Sequence, residues 1–284
     1  MTPDVTVIVP CYDQGAFVAD AVDSALASTV DALEVIVVDD GSTEPETRAV
    51  LDRLVRPRTR VFRQHNRGLV ATRNRALAAA RGRYVLPLDA DDTIAPTFVE
   101  KTRRVLDEDR ALGFAYTHVR FFGDGEFVCR TAPYNFYTLL WENVCCNTAL
   151  IRREPLEAVG GWAPLDGYED WDVWISLAER GWHGRLVPEV LFNYRRHGCT
   201  QGVRARRRHA ELVRSIRAYH PALYDRARLA ALRGAWCRHP VLTDLALAAR
   251  AAVRSPYCPR RVRAGLAAVR DASPWARKLA PGGA

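Results

Sequence analysis

Tyr84-Val85-Leu86-Pro87-Leu88-Asp89-Ala90-Asp91-Asp92 is an apolar run that ends abruptly in three carboxylates. A short apolar run stopped by acids reads as a buried strand delivered to a polar edge. Similar runs precede it at residues 5 to 10 (VTVIVP), 33 to 39 (LEVIVVD) and 60 to 63 (RVFR). Between them lie segments of helical spacing: Phe17, Ala21, Val22, Ala25 and Leu26; Ala49, Val50 and Leu54; then Val70, Ala71, Asn74 and Leu77. Strand and helix in alternation is the pattern of parallel βαβ units covered on both faces. The sequence therefore predicts an α/β fold whose Rossmann-like, mostly parallel sheet occupies roughly residues 1 to 95.

Beyond Asp92 the alternation decays. Pro96 stands where a first-turn proline opens a helix to about Asp107. A strand-like stretch from Gly113 to Phe122, a Gly123-Asp124-Gly125 turn and a return strand from Glu126 to Arg130 follow. Trp171, Trp174, Ile175, Leu177 and Ala178 fit a helix from Tyr168 to Arg180, stopped by Gly181, before a strand from about Arg185 to Tyr194.

Charge divides the chain further. The net +8 is made of 23 Lys+Arg against 29 Asp+Glu in residues 1 to 203, and 18 against 4 in residues 204 to 284. Residues 1–203 are read as one domain with halves at 1–95 and 96–203, and residues 204–284 as a basic extension of short amphipathic helices. Seven cysteines, without a C-x-x-C pair, argue for reduced thiols rather than a disulfide framework or a structural zinc. The N-terminus lacks the features of a signal peptide, and no stretch is long and apolar enough to span a bilayer, so a cytoplasmic location is expected.

In open α/β sheets ligands bind beyond the carboxyl ends of the strands, which is where Asp89, Asp91 and Asp92 fall. Crowded acids of this kind suit a hard divalent ion shared with a substrate phosphate; the other reading is an acidic turn with Asp92 capping the next helix. Asp39 and Asp40 end the second strand, where an acid can accept hydrogen bonds from a ribose or a base N–H; Ser42 or Thr43 with Glu46 also resembles a capping box, and both readings can hold. Tyr12 follows the first strand, either to stack on a base or to pack on the sheet. Asn66, Gly68, Arg73 and Asn74 open and line the third helix, where an arginine can face a diphosphate. Asp170, beside Trp162, Trp171 and Trp174, is placed to act as a general base among aromatic faces suited to a sugar; the alternative is that Glu169, Asp170 and Asp172 only load a helix N-terminus with favourable charge.

The ordered set VIVPCYD, VVDDGST, N-R-G-L-x-x-x-R-N-x-A, Y-x-x-x-L-D-A-D-D, G-G-W, Y-E-D-W-D-x-W and Y-R-R-H, over roughly residues 4 to 200, resembles glycosyltransferase family 2, inverting nucleotide-sugar-dependent enzymes of the GT-A fold. The resemblance implies that residues 1–95 bind nucleotide and residues 96–203 meet the acceptor. It places Pro10, Tyr12 and Asp39 on the nucleotide, Asp89 on the ribose or a metal-bound water, and Asp91 on Mg²⁺ or Mn²⁺, with His197 as a further metal or diphosphate contact. Glu169-Asp170 resembles the family's acidic pair whose second member is the base; Gly160-Gly161-Trp162 resembles its loop beside the acceptor pocket, to be weighed against a plain turn with a buried tryptophan. Cys145, Cys146 and Asn147 fall where the family borders the donor sugar.

The expected reaction is metal-dependent, inverting transfer from a nucleoside-diphosphate sugar, a UDP-sugar first, to a glycan or lipid-linked hydroxyl in polysaccharide or glycoconjugate synthesis. A sugar nucleotidyltransferase is the enzyme rival, although VIVPCYDQGAF lacks the Gly-rich, Lys-containing loop such enzymes carry. A silent sugar-nucleotide or membrane-binding scaffold is the rival of another class. The basic extension suits an anionic leaflet better than nucleic acid, for which no groove-reading motif exists; a merely solvated Arg-rich face is the alternative.

Overall fold

The computed structural model describes residues 2–198, 204, 205 and 207–254. The short helices that the sequence predicts beyond residue 254 lie outside the described residues. The order of elements is β1 (Val5–Cys11), α1 (Val18–Leu26), β2 (Leu33–Asp39), α2 (Pro45–Arg53), β3 (Thr59–Arg63), α3 (Leu69–Ala79), β4 (Tyr84–Pro87), β5 (Thr93–Ile94) and α4 (Phe98–Glu108). There follow β6 (Leu112–Gly123), β7 (Phe127–Cys129), α5 (Phe136–Leu139), β8 (Leu150–Arg152), α6 (Arg153–Ala158), α7 (Glu169–Glu179) and β9 (His183–Arg196). Helices α8 (His209–Tyr219), α9 (Arg226–Trp236) and α10 (Pro240–Arg254) complete the described chain.

The strands form one sheet in the order β3-β2-β1-β4-β8-β6-β9-β5, with β7 paired to β6. β1 runs parallel to β2 on one side and to β4 on the other, so the chain reverses its direction of winding between β1 and β4. That reversal opens the crevice at the carboxyl ends where α/β sheets take ligands. Every residue of β1 and β2 is buried, as a strand covered on both faces requires. From β4 onward the sheet is mixed: β8 is antiparallel to β4 and β6, while β6 and β9 run parallel with register shifts near Thr117 and His118. The expected α/β sheet with helices is thus present, and the elements left unassigned by periodicity are the short ones, β5, α5, β8 and α6.

The first compact unit runs from the N-terminus to Arg228, past the change of composition at residue 204. His220, after α8, contacts Asp172 and Glu179 of α7, and the Tyr224 hydroxyl donates to the Leu140 carbonyl at 3.0 Å. The second unit begins at Leu229; within it the Arg233 guanidinium pairs with Asp244 of α10 at 2.7 Å. No helix among the described residues is long and apolar enough to cross a membrane.

One joint between the two halves of the sheet is legible atom by atom. Asn74 of α3 pairs with the backbone of Trp162 in both directions, accepting from its N–H at 2.9 Å and donating to its carbonyl at 2.8 Å. Gly161 sits at φ 75°, where a Cβ would stand 2.3 Å from the Asn74 side-chain oxygen. Of the paired glycines, Gly161 is a close approach beside two hydrogen bonds, which is the turn with a buried tryptophan. Gly161→Ala should lose about 2–3 kcal/mol of stability in urea denaturation, from left-handed strain and the displaced Asn74; Gly160→Ala, with open space around it, should lose less.

Candidate active site

The crevice is built from three strand ends. At β2, Asp39 is buried and accepts from the Ser42 N–H at 2.9 Å, with Arg63 at 3.8 Å. Its neighbour Asp40 accepts from Gln64 Nε2 and from the N–H groups of Arg67 and Gly68, at 2.7, 2.9 and 2.8 Å. Asp40 thereby folds the loop that carries exposed Asn66 and starts α3. At β1, Pro10 is buried, and Tyr12 just beyond it is 45% exposed at the crevice edge rather than packed on the sheet. Asp13, at φ 51°, accepts from the N–H groups of Thr43 and Glu44 at 2.7 and 2.9 Å. This cap on α2 comes from a neighbouring loop and replaces the capping box expected at Ser42 or Thr43 with Glu46, since Glu44 is the N-cap residue and makes no cap of its own.

Beyond β4, each aspartate has a different environment. Asp89 accepts from Arg73 Nη2 at 2.6 Å and from Asn147 Nδ2 at 2.9 Å. Asp91 meets His197 Nε2 at 2.8 Å, across from the end of β9. Asp92 is buried and accepts the Arg195 N–H at 2.7 Å, while its second oxygen is buried without a partner. It joins β9 to the acidic loop and does not cap α4, so the capping alternative for this motif falls. Arg195 reinforces the joint: its guanidinium lies over Phe17 and Phe122 at 4.7 and 4.6 Å and reaches Asp20. Burial, then the charge of Asp89, raises the Asp91 carboxyl above its ordinary range against the hydrogen bond from His197. Burial and the charges of Asp91 and Asp89 raise Asp92 well above it. Burial first and mutual repulsion second thus disfavour the charged form of both acids, and a nearby divalent cation would favour it. Among the described residues no three His, Cys, Asp or Glu side chains converge to hold an ion unaided. Asp91 and His197 fit an ion that draws its remaining ligands from a diphosphate.

Across the crevice stands the start of α7. Tyr168, at φ 62°, precedes Glu169 and Asp170, an uncommon left-handed position for a bulky residue. Arg73, 2% exposed, joins the two sides: its Nη1 donates to Glu169 at 2.6 Å while Nη2 holds Asp89. The arginine expected to face a diphosphate is thus spent on two carboxylates. Burial alone would lower its pKa, but Asp89 and Glu169 outweigh it and raise the value. Asp170 is half-buried and accepts from Asn143 Nδ2 at 2.8 Å. Burial, then the Glu169 charge, pushes its carboxyl up to about 6 against the Asn143 hydrogen bond and the Arg73 charge.

The tryptophans expected to face a sugar are core instead, with Trp162, Trp171 and Trp174 exposed by 3%, 2% and 1%. Trp171 Nε1 donates to the Leu139 carbonyl at 2.6 Å, and Trp174 stacks on Phe114 at 4.4 Å. They fix α7 from behind, and His220 spans it from the first turn to the last residue, meeting Asp172 and Glu179 at 3.1 and 3.0 Å. The thiols of Cys145 and Cys146 are buried and their pKa values raised by that burial, so neither is a ready nucleophile. Asn143 and His220 were invisible in the sequence, because single residues in irregular or basic segments carry no spacing signal.

The glycosyl transferase family 2 model matches residues 6–160. The chain is 30% identical over 213 residues to chondroitin synthase of Pasteurella multocida, covering 71% of this chain but 22% of that protein. It is also 30% identical over 202 residues to the putative teichuronic acid biosynthesis glycosyltransferase TuaG of Bacillus subtilis, covering 68% of this chain and 79% of the relative. The chain therefore spans about a fifth of the length of the first of these relatives. Among solved structures, S. aureus TarS 1-349 in complex with UDP-GlcNAc aligns with a TM-score of 0.67 at 18% identity, over 81% of this chain and 69% of that one. Mannosyltransferase PcManGT from Pyrobaculum calidifontis, in complex with GDP-Man and Mn²⁺, aligns at 0.59 and 23% identity, over 98% and 83%. These likenesses show the GT-A glycosyltransferase fold.

Arg73→Met should cost about 3–5 kcal/mol in chemical denaturation, because it leaves the Asp89 and Glu169 carboxylates without their cation. Arg75→Met on the same helix, an exposed residue, should stay within about 0.5 kcal/mol.

Proposed function

Because the chain belongs to glycosyl transferase family 2, we propose that it moves a sugar from a nucleoside-diphosphate sugar, a UDP-sugar first, to an acceptor hydroxyl with inversion. The observation that carries this reading is the Arg73 bridge, which ties Asp89 on the donor side to Glu169 beside Asp170 at 2.6 Å each. Pro10, Tyr12 and Asp39 take the nucleoside at the ends of β1 and β2, with Asn66 on the adjoining loop, and Asp89 orients the ribose side. Asp91 and His197 would hold Mn²⁺ or Mg²⁺, which supplies countercharge for a diphosphate when bound. Asp170 accepts the proton of the acceptor hydroxyl as its oxygen bonds to the anomeric carbon and the bond to the diphosphate breaks. Diphosphate leaves as an anion, so one base suffices and no general acid is needed. Gly161, Trp162, Glu169 and Trp171 shape the acceptor side through the backbone they hold, not through exposed aromatic faces.

The named relatives make or are assigned to polysaccharides, chondroitin and teichuronic acid. They support a place in polysaccharide synthesis; with it we propose a glycan or lipid-linked acceptor and a location on the cytoplasmic side of a membrane. The second unit suits that location. Val241, Leu242 and Leu245 of α10 are exposed by 64%, 64% and 61%, and residues 229–284 carry ten Lys+Arg against two Asp+Glu. An apolar helix face within so basic a segment fits an anionic leaflet.

Asp170→Asn should bind UDP with Mn²⁺ by calorimetry as the parent does, yet lose about 10²–10⁴-fold in turnover; retained turnover would falsify the base assignment. The parent's kcat/KM should rise with pH through about 6, since the carboxyl must be ionised to accept a proton. Pyrophosphate-dependent exchange of a nucleotide sugar would instead favour a nucleotidyltransferase. The full chain should sediment with phosphatidylglycerol vesicles and not with phosphatidylcholine ones, and Leu242→Asp with Leu245→Asp should release it; binding that survives these changes rejects the α10 contact.

A further inference from the structure

The segment Asn143-Val144-Cys145-Cys146-Asn147 crosses the crevice floor and carries an amide at each end. Asn147 donates to Asp89 at 2.9 Å, and Asn143 donates to Asp170 Oδ2 at 2.8 Å. The orientation of the Asn143 amide is fixed by a second bond, since its oxygen accepts from the Cys145 N–H at 3.3 Å. With that oxygen engaged, only the NH₂ group can face the carboxylate. Val144, Cys145 and Cys146 are buried, and the Cys146 thiol donates to the Thr148 carbonyl at 3.0 Å, so the segment is anchored between its two amides.

We propose that Asn143 is the positioning residue of the base: it holds Oδ2 of Asp170 and so assigns the other oxygen to the acceptor's hydroxyl proton. This rests on Asp170 being the base. The groups around that carboxylate are Glu169 on its own helix, Arg73 from α3, and the thiols of Cys145 and Cys146 from the crossing segment. Glu169 opposes the negative charge and Arg73 favours it, but Arg73 is already bound to Asp89 and Glu169. Two neutral donors act on the carboxylate, the Trp171 backbone N–H and the Asn143 amide; Asn143 is the side chain among them, bonded to Oδ2 at 2.8 Å. A hydrogen bond to the charged form favours it over the protonated one. Asn143 thus has two effects on the same group: it orients the carboxylate and keeps it available as a base near neutral pH.

The experiment is the pH dependence of kcat/KM for the full-length enzyme, with Asn143→Leu, Asn143→Gln and Asp170→Asn beside the parent. Asn143→Leu keeps the volume and removes the donor. Its rising limb should move up by about one pH unit, so that the loss is tenfold at low pH and smaller once the base is ionised, with UDP binding unchanged. Asn143→Gln should move the limb back toward that of the parent. A limb that stays in place while activity falls equally at every pH makes Asn143 a merely structural residue and overturns the inference, as does parental activity in Asn143→Leu. If Asn143→Leu does not fold, as judged by its circular dichroism, Asn143→Ala, which also lacks a side-chain donor, carries the same comparison. Inactive Asp170→Asn with an unmoved limb in the Asn143 variants defeats this inference alone; active Asp170→Asn defeats the base reading on which it stands.

Discussion

A single buried guanidinium sets the geometry of the crevice. Arg73 lies in the third helix of the parallel half, yet both its terminal nitrogens are spent on carboxylates that arrive from elsewhere, Asp89 after β4 and Glu169 at the start of α7. An unpaired arginine at 2% exposure would be costly to bury, so the two carboxylates must stay where they are for the fold to be stable. The neighbour of each is a candidate for chemistry. Asp91 stands two residues from Asp89, and Asp170 stands next to Glu169. Stability and site geometry are thus the same constraint.

Around this bridge the protein accumulates negative charge that it only partly neutralises. Asp89 is satisfied by Arg73 and Asn147, whereas Asp91 has a histidine and Asp92 has a backbone N–H and a buried oxygen without a partner. Burial, with this charge added to it, raises the Asp91 and Asp92 carboxyls above their ordinary range. A cation beside these carboxylates would favour their charged forms, which is the electrostatic ground for proposing Asp91 and His197 as its ligands.

The aromatic residues show how burial redirects a reading. Trp162, Trp171 and Trp174 cluster in the sequence around an acidic pair and suggest a sugar platform. In the fold they lie behind the helix, where Trp174 stacks on Phe114 and Trp171 bonds to the Leu139 carbonyl. Their work is to hold α7 still. Gly161 is similar: two glycines in a row suggest a hinge, while the Asn74 side chain occupies the space a Cβ would need.

The sequence by itself determined the parallel half of the sheet, because β1, β2 and β4 are apolar runs with helical segments between them and the acids fall where those runs stop. It also determined the order of motifs that identifies the family, since order and spacing are linear properties. The short elements β5, β8 and α6 escaped it because two to six residues hold too little periodicity to register. Only the tertiary structure decided what each polar group touches. Arg73 meets Glu169 across 96 positions and Asn143 meets Asp170 across 27, and such pairings are made by the sheet that closes the loops, not by any pattern along the chain.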